Sequence, residues 1–219
     1  MNTNKKTKDY HLVFGKESIH QKILNIIEEN KIILDVGCAS GYLGKEMKKK
    51  SNKVYGIESS KIAAEKAKEV IDDVIIGNVE EMTFPYPKNF FDVVVCADVL
   101  EHLVSPKETL TKLKNYLKKE GVLIASIPNI ANWRIRKDLL FGRFEYQNTG
   151  LMDDGHLRFF TLDTAKRMFK DAGYEILKVD LTINFPLPLR YDIIVKLCKK
   201  LFPKLFGFQF LFVVRQESK

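Results

Sequence analysis

An apolar run that ends in an acid and then turns through glycines constrains the fold of this chain more than any other stretch. It reads Ile-Ile-Leu-Asp-Val-Gly-Cys-Ala-Ser-Gly-Tyr-Leu-Gly over residues 32–44. A continuous aliphatic run is typical of a strand buried inside a parallel sheet. Gly37 and Gly41 favour a turn that brings the backbone close to a ligand, and the predicted helix behind them directs unpaired N–H groups at that turn. The stretch therefore predicts a ligand crevice at the carboxyl end of a first strand.

The spacing of the glycines separates three kinds of ligand loop. A P-loop needs a glycine five residues before Gly44 and Ser or Thr after Lys45, but Ala39 and Glu46 stand there. A dinucleotide fingerprint needs G-x-G-x-x-G, which the glycines do not match. The run Leu-Asp-Val-Gly-Cys-Ala-Ser-Gly over residues 34–41 instead resembles the first motif of class I S-adenosylmethionine-dependent methyltransferases, which usually have Gly where Ala39 stands.

Hydrophobic runs and helical patterns alternate along the rest of the chain. Strands are predicted at 32–36, 54–58, 74–76, 91–96, 122–127, 174–179 and 208–215, and helices at 10–29, 42–50, 61–70, 106–119 and 162–172. Ser105 to Glu108 reads as a capping box with proline at the first helical position. A strict strand–helix alternation implies right-handed crossovers and a parallel sheet. We therefore expect an α/β, Rossmann-like, doubly wound seven-stranded sheet, mostly parallel with an antiparallel last strand, plus a lid insertion.

Acids and amides follow the predicted strands, where the resemblance implies contacts with the cofactor. Glu58 lies about 20 residues past the loop, where a carboxylate accepts hydrogen bonds from both ribose hydroxyls in adenosine-binding sheets. Asn78 resembles the family's adenine-edge position, with a plain turn as the alternative. The run Asp-Val-Leu-Glu-His over residues 98–102 resembles the family's fourth motif, and a structural role for His102 stays open. The implied cofactor-binding residues are Asp35, Gly37, Cys38, Ala39, Gly41, Tyr42, Glu58, Ser59, Asn78, Val79, Asp98, Val99 and His102.

Residues 129–160 interrupt the alternation with aromatic and charged side chains, which suggests a lid over the strand ends. The predicted substrate-binding residues are Trp133, Arg134, Tyr146 and Arg158. His156 lies where a lid would hang over the methyl group, so it is the predicted catalytic base; the alternative is that it only shapes the lid. Asp153 and Asp154 beside it are too few to predict a metal site, and no metal is expected.

Length and composition indicate one domain over residues 1–219. It comprises an N-terminal helical cap at 1–30, the lid insertion at 129–160 and a C-terminal amphipathic segment at 181–207. The polar start and three scattered cysteines predict a cytoplasmic protein with reduced thiols. The formal charge of +8 comes from lysines spread along the chain, which indicates compositional bias more than a nucleic-acid surface. The basic helix predicted at 191–206 leaves peripheral contact with an anionic membrane, packing on the lid or a homodimer open.

The resemblance is closest to bacterial enzymes of sugar, polysaccharide and quinone pathways, a group with a segment similar to Gly-His-Leu-Arg-Phe-Phe-Thr at 155–161. It implies transfer of a methyl group from S-adenosylmethionine to a small molecule or a sugar or glycan precursor, releasing S-adenosylhomocysteine. The alternatives are an RNA or DNA methyltransferase and a non-catalytic S-adenosylmethionine-binding protein. Nucleic acid is disfavoured as a partner, because the N/D-P-P-Y/F run of amino-methylating DNA enzymes is replaced by Ala-Asp-Val-Leu at 97–100.

Overall fold

A computed structural model describes residues 18–184, 197 and 200–217, and in this part of the chain the strands form one seven-stranded sheet in the order β3-β2-β1-β4-β5-β7-β6. The strands are β1 (Ile32–Val36), β2 (Lys53–Glu58), β3 (Asp73–Ile76), β4 (Phe91–Ala97), β5 (Leu117–Pro128), β6 (Tyr174–Thr182) and β7 (Gln209–Gln216). The helices are α1 (Ile19–Ile26), α2 (Tyr42–Lys48), α3 (Lys61–Lys68), α4 (Pro106–Lys114), α5 (Trp133–Leu140), α6 (Leu162–Asp171) and α7 (Pro203–Phe206), with a short 3₁₀ turn at Leu100–His102.

The pairing of the strands confirms the predicted fold class. The pairs within β3-β2-β1-β4-β5 are parallel, and β7 lies antiparallel between β5 and β6. The carboxyl ends of β1, β2, β4 and β5 therefore meet along one edge of the sheet, which is where ligands bind in open α/β sheets.

Both faces of the sheet are covered, because the central strands are apolar on both sides. One core contains Ile33 and Val95 with buried residues of α1, α2 and α3. The other contains Leu34 and Val94 with buried residues of α4 and α6. The two free cysteines in the described part of the chain, Cys38 and Cys96, are both buried, and Cys198 lies outside it.

The boundary between α4 and β5 differs from the prediction. The helix ends at Lys114 and β5 already begins at Leu117, which is fully buried, so the strand starts before the predicted residue 122. The predicted capping box is wrong: the Ser105 side chain makes no capping hydrogen bond. The Glu80 carboxylate instead accepts from the backbone N–H groups of Ser105 (2.7 Å) and Val104 (3.1 Å), so a residue distant in sequence supplies the acceptor. At the start of α6, the Thr161 side chain accepts the Thr164 backbone N–H and so caps the helix.

The two ends of the chain are described only in part. The structure describes the predicted helix at 10–29 only from residue 18 onward. In this portion, residues Ile19–Ile26 form a helix. Half of the predicted helix at 191–206 lies outside the described residues, and Pro203–Phe206 forms one short helix. None of the described helices combines the length and apolarity that crossing a bilayer requires. Membrane contact and a homodimer stay predictions.

Candidate functional site

Three residues in the loop between β1 and α2 have a positive φ: Gly37 (67°), Ala39 (48°) and Gly41 (76°). Gly37 and Cys38 both donate their backbone N–H to the Ile57 carbonyl, at 2.8 and 3.2 Å, which ties the loop to β2. A Cβ atom at Gly37 would lie 2.8 Å from Val99 Cγ2, closer than real contacts allow. The loops after β1 and β4 therefore converge, and only glycine lets them approach so closely.

Glu58, at the end of β2, is hydrogen-bonded to both neighbouring loops. Its Oε2 accepts the Ala39 backbone N–H at 2.9 Å and its Oε1 accepts the Ser60 backbone N–H at 2.7 Å. Ser59 beside it is exposed. An ionised carboxylate offers about four lone-pair sites, so these bonds fix its orientation while leaving capacity for a ligand.

Asp35 is a buried carboxyl group on the inner side of this crevice. It is 2% exposed, and its Oδ2 has no hydrogen-bond partner within the described residues. Burial, and then the nearby charge of Glu58, raise the pKa of Asp35 to about 7. A buried carboxyl group with an unsatisfied oxygen is costly unless a ligand compensates it.

Asp98, which follows β4, is held by two side chains that the sequence analysis did not predict. Its Oδ1 accepts from Ser126 Oγ at 2.6 Å, and both carboxylate oxygens lie 2.9 Å from Gln209 Nε2. Asp98 also has a positive φ of 54°. Ser126 comes from β5 and Gln209 from β7, so the carboxylate is fixed from two strands at the same edge. Only the strand register, which pairs Ala97 with Ser126, could have indicated this.

His20 brings α1 to the mouth of the crevice. The side chain is buried, and its ring meets the Tyr42 ring edge-on with centroids 5.5 Å apart. Burial lowers the pKa of His20, and the negative charge of Asp98 opposes that shift. The helix that the sequence predicted only as a cap therefore contributes a polar side chain near Asp98.

Asn78 and Val79 lie after β3, as predicted for the adenine edge. Asn78 is exposed, and its Oδ1 accepts the Glu80 backbone N–H while its Nδ2 donates to Glu81. These local bonds form the turn that was the alternative interpretation, and a contact with adenine stays a prediction. Val79 is buried, and its carbonyl accepts from Lys112 Nζ.

The far end of the insertion is fastened to the 3₁₀ turn that follows Asp98. The Glu101 carbonyl accepts the backbone N–H groups of Leu157 (2.8 Å) and Arg158 (2.9 Å). His102 Nδ1 lies 2.9 Å from the Gly155 carbonyl. The Arg158 guanidinium donates to the Val104 carbonyl through Nε (3.0 Å) and Nη2 (2.6 Å). Arg158, predicted as substrate-binding, thus holds residues 155–158 beside Asp98.

His156 lies inside this anchored end. It is 9% exposed, and its ring packs edge-on against His102 with centroids 4.8 Å apart. Burial, and then the proximity of His102, lower the pKa of His156, which favours the neutral imidazole. A neutral imidazole can accept a proton or ligate a metal.

The side chains in the middle of the insertion face solvent. Residues 141–150 are all exposed. Tyr146 packs edge-on against Phe144 at 5.6 Å, and the Arg134 guanidinium lies 5.6 Å from the Trp133 ring centroid. A cavity of about 180 Å³ lies under this stretch, and one of about 380 Å³ lies between α6, β6 and Pro203; none of their lining residues comes from the loops after β1, β2 or β4. Trp133 and Tyr146 thus lie in the insertion, and their role in binding substrate stays a prediction.

Comparison with known proteins agrees with this architecture. Residues 14–179 match a family described as a methyltransferase domain. The chain belongs to the class I S-adenosylmethionine-dependent methyltransferases. An uncharacterized methyltransferase from Geobacillus sp. (strain WCH70) is 28% identical over 179 residues, covering 77% of this chain and 80% of the relative.

Other relatives of this methyltransferase differ in their acceptors. The mitochondrial ubiquinone biosynthesis O-methyltransferase of Schizosaccharomyces pombe is 36% identical over 105 residues, or 44% of this chain and 37% of the relative. Matches over similar lengths include tRNA U34 carboxymethyltransferases. The crystal structure of an S-adenosylmethionine-dependent methyltransferase from Archaeoglobus fulgidus shares the fold, with a TM-score of 0.64 at 16% identity and 90% coverage of both chains.

The crevice of this methyltransferase fits S-adenosylmethionine. The ribose of the cofactor carries two hydroxyl groups, and Glu58 can accept hydrogen bonds from them. The cofactor also carries two positive charges, an ammonium and a sulfonium. The unsatisfied Oδ2 of Asp35 and the fixed carboxylate of Asp98 lie at the strand ends where such charges would be bound.

Proposed function

We propose that this enzyme transfers the methyl group of S-adenosylmethionine to an oxygen atom of a small molecule or a sugar or glycan precursor, leaving S-adenosylhomocysteine. The observation that carries the proposal is the position of Glu101, His102 and His156. Glu101 and His102 lie in the 3₁₀ turn that follows Asp98, at the edge of the sheet where the methyl group would be presented, and His156 packs against His102 from the anchored end of the insertion. A hydroxyl acceptor loses a proton during the transfer, and groups that bind protons or cations can assist that step.

On the cofactor side, each group has one task. Glu58 accepts the ribose hydroxyls, and the loop from Gly37 to Gly41 lies against the methionine portion. Asp35 and Asp98 offset the positive charges, and Val79 with Asn78 borders the adenine. Cys38, Ala39, Tyr42, Ser59, Val99 and His102 complete the predicted contacts. These assignments follow the fit of the crevice and stay proposals.

The chemistry is a displacement at a methyl group that the sulfonium already activates. The acceptor oxygen bonds to the methyl carbon while the carbon–sulfur bond breaks, and the sulfonium becomes a neutral thioether. Holding donor and acceptor in line supplies about 7–11 kcal/mol of the barrier. A hydroxyl acceptor must also lose its proton, and assistance in that step is worth about 10²–10⁴-fold. The fixed carboxylate of Asp98 keeps the donor side in place.

On the acceptor side, the aromatic residues of the insertion suit a flat or cyclic molecule. Trp133 and Tyr146 offer rings for stacking, and Arg134 offers a guanidinium that can bind a carboxylate or phosphate. Arg158 already donates two of its nitrogens to Val104, so its remaining Nη1 is the atom with capacity for a substrate.

A tRNA or DNA substrate is the alternative, since relatives include tRNA-modifying enzymes and the chain carries a net charge of +8. A nucleic-acid reader loses affinity steeply as salt rises, because phosphate contacts release counterions. Measuring the binding of RNA and duplex DNA at two salt concentrations distinguishes a nucleic-acid substrate from a small-molecule acceptor. Tight, salt-sensitive binding would favour the nucleic acid.

The direct test of the acceptor class is a methyl-transfer assay against a panel of sugars, phenols, carboxylates and RNA, read by the release of homocysteine from the product. We expect turnover with a hydroxyl compound and none with RNA. Turnover only with RNA, or only with a carbon or nitrogen acceptor, would contradict the proposal. Cofactor binding without any methyl transfer would favour a non-catalytic binding protein.

A further inference from the structure

We propose that Glu101, His102 and His156 bind a divalent first-row transition metal ion, and that this ion holds the oxygen of the methyl acceptor. The ion site stands on geometry alone, whereas its role towards the acceptor rests on the proposed O-methylation. The sequence predicts no metal site, because only Asp153 and Asp154 lie beside His156 along the chain and they are too few ligands. The structure brings together a different set, from two segments that are far apart in sequence.

The three side chains lie within reach of one ion. Each offers one ligand atom, and these atoms all lie within 4.8 Å of one another. Metal bonds of about 2.0–2.2 Å to nitrogen and oxygen place two ligands at most about 4 Å apart. Small rotations of the side chains are therefore enough to close the site.

Glu101 is the observation that calls for a cation. It is 1% exposed, and neither of its carboxylate oxygens has a hydrogen-bond partner among residues 18–184, 197 and 200–217. Burying a carboxylate without a partner costs several kcal/mol. The 3₁₀ turn nevertheless keeps this side chain inside, with its backbone carbonyl bonded to Leu157 and Arg158.

Both histidines are oriented as metal ligands usually are. A carbonyl can only accept, so His102 Nδ1 carries the proton that it shares with the Gly155 carbonyl at 2.9 Å, and Nε2 keeps its lone pair. The Leu151 backbone lies close enough to the His156 ring to interact with one of its nitrogens, which leaves the other for a ligand. Metal-binding histidines typically donate their second nitrogen to a carbonyl or carboxylate in this way.

The charges around the cluster also favour a dication. Asp98 and Asp153 both lie close enough to Glu101 to interact with its carboxyl group electrostatically. Asp153 further accepts the Gly155 N–H at 2.7 Å and so steadies the carbonyl that orients His102. Two imidazoles and one carboxylate suit zinc, manganese, cobalt or iron in the divalent state and leave coordination positions open.

An open position beside the methyl donor gives the ion a defined role. A metal-bound hydroxyl loses its proton more easily, because the ion stabilises the alkoxide. The proton leaves to solvent, the oxygen's electron pair forms the bond to the methyl carbon, and the carbon–sulfur pair stays on sulfur. No oxidant or reductant is needed.

The test begins with the full-length chain, freed of metal by a chelator, titrated with Zn²⁺ or Mn²⁺ alone in a calorimeter. We expect one ion per chain and a rise in melting temperature on metal addition. Glu101→Gln preserves the shape of the side chain and should weaken binding at least about 100-fold, since even outer groups contribute 10–100-fold. Asp154→Asn, on an exposed neighbour, is the matched control and should bind as the wild type does.

Three outcomes would overturn the proposal. Absence of metal binding by a folded wild type would remove the site, whether or not methyl transfer occurs. Equal binding by wild type and Glu101→Gln would mean that the ion binds elsewhere. Site-specific binding with turnover unchanged by chelation would leave a metal site but remove its role towards the acceptor. Failure of the O-methylation proposal alone would leave the calorimetry unaffected.

Discussion

The Ala39 backbone N–H donates a hydrogen bond to the Glu58 carboxylate at 2.9 Å. This bond links the loop after β1 to the end of β2, so the two cofactor motifs form one unit. Ala39 itself has a positive φ of 48°, a conformation that is unfavourable for a residue with a Cβ atom.

Ala39→Gly should stabilise the protein, because the left-handed conformation costs a non-glycine residue roughly 1–2 kcal/mol. Part of this gain is offset by the larger conformational entropy that glycine loses on folding. We expect the free energy of unfolding to rise by about 0.5–1 kcal/mol in urea denaturation. Ala63→Gly, inside α3, is the control and should lower the free energy of unfolding by about 1 kcal/mol. A clear loss of stability in Ala39→Gly would show that the alanine methyl group contributes more than its backbone strain costs.

Asp35 should make the stability of the cofactor-free protein depend on pH. Its folded pKa of about 7 lies above the usual value of 3.8, so the folded state binds a proton more tightly than the unfolded state. The stabilisation is complete below pH ~4 and is lost as the pH rises towards 7, by up to about 1.4 kcal/mol per pH unit.

Urea denaturation of the wild type and Asp35→Asn between pH 4 and 8 measures this effect. The variant should have a flatter profile, whereas Asp171→Asn, an exposed acid at the end of α6, should follow the wild type. Identical slopes for wild type and Asp35→Asn would mean that the carboxyl group is ionised in the folded protein throughout the range.

His156→Ala should lower turnover by about 10²-fold or more while leaving cofactor affinity intact. The side chain lies on the acceptor side, anchored through residues 155–158, and it is not among the groups that hold Glu58 or the glycine loop. Leu157→Ala changes an exposed neighbour and should keep normal turnover. Near-normal turnover in His156→Ala would make the histidine structural. Metal titration of the same variant distinguishes a base, which leaves ion binding intact, from a ligand, which does not.

Sequence alone predicted the parts of the site that depend on local spacing. The glycine loop and Glu58 lie in single motifs, and the positions of the seven strands along the chain follow from apolar runs. The prediction of a capping box at Ser105 was wrong because Glu80 accepts the Ser105 backbone N–H instead. Glu80 is distant in sequence, so no local pattern indicates this contact.

The missed contacts share one physical cause. Ser126 and Gln209 reach Asp98 only because β5 and β7 pair in a particular register. Glu101 meets His156 only because the insertion folds back on the 3₁₀ turn. Such contacts depend on how the elements pack, and the local pattern of the sequence carries no signal for them.

The most direct test of the central claim, that the loop after β1 and the end of β2 bind S-adenosylmethionine, is calorimetry with S-adenosylhomocysteine on wild type, Glu58→Ala and Gly41→Val. A Cβ at Gly41 would lie 2.7 Å from Val70 Cγ2 and 3.1 Å from the Ala67 backbone, so valine must displace the loop. Gly142→Val shares a positive φ but has no atom within 4 Å of the added Cβ. Together with Glu65→Ala on α3, it serves as the control.

We expect the wild type and both controls to bind with equal affinity. Glu58→Ala should bind at least about tenfold more weakly, because a hydrogen bond to a charged group contributes roughly 1.5–3 kcal/mol, and Gly41→Val should lose at least as much. Unchanged affinity in Glu58→Ala and Gly41→Val, with both variants folded, would contradict the placement of the cofactor.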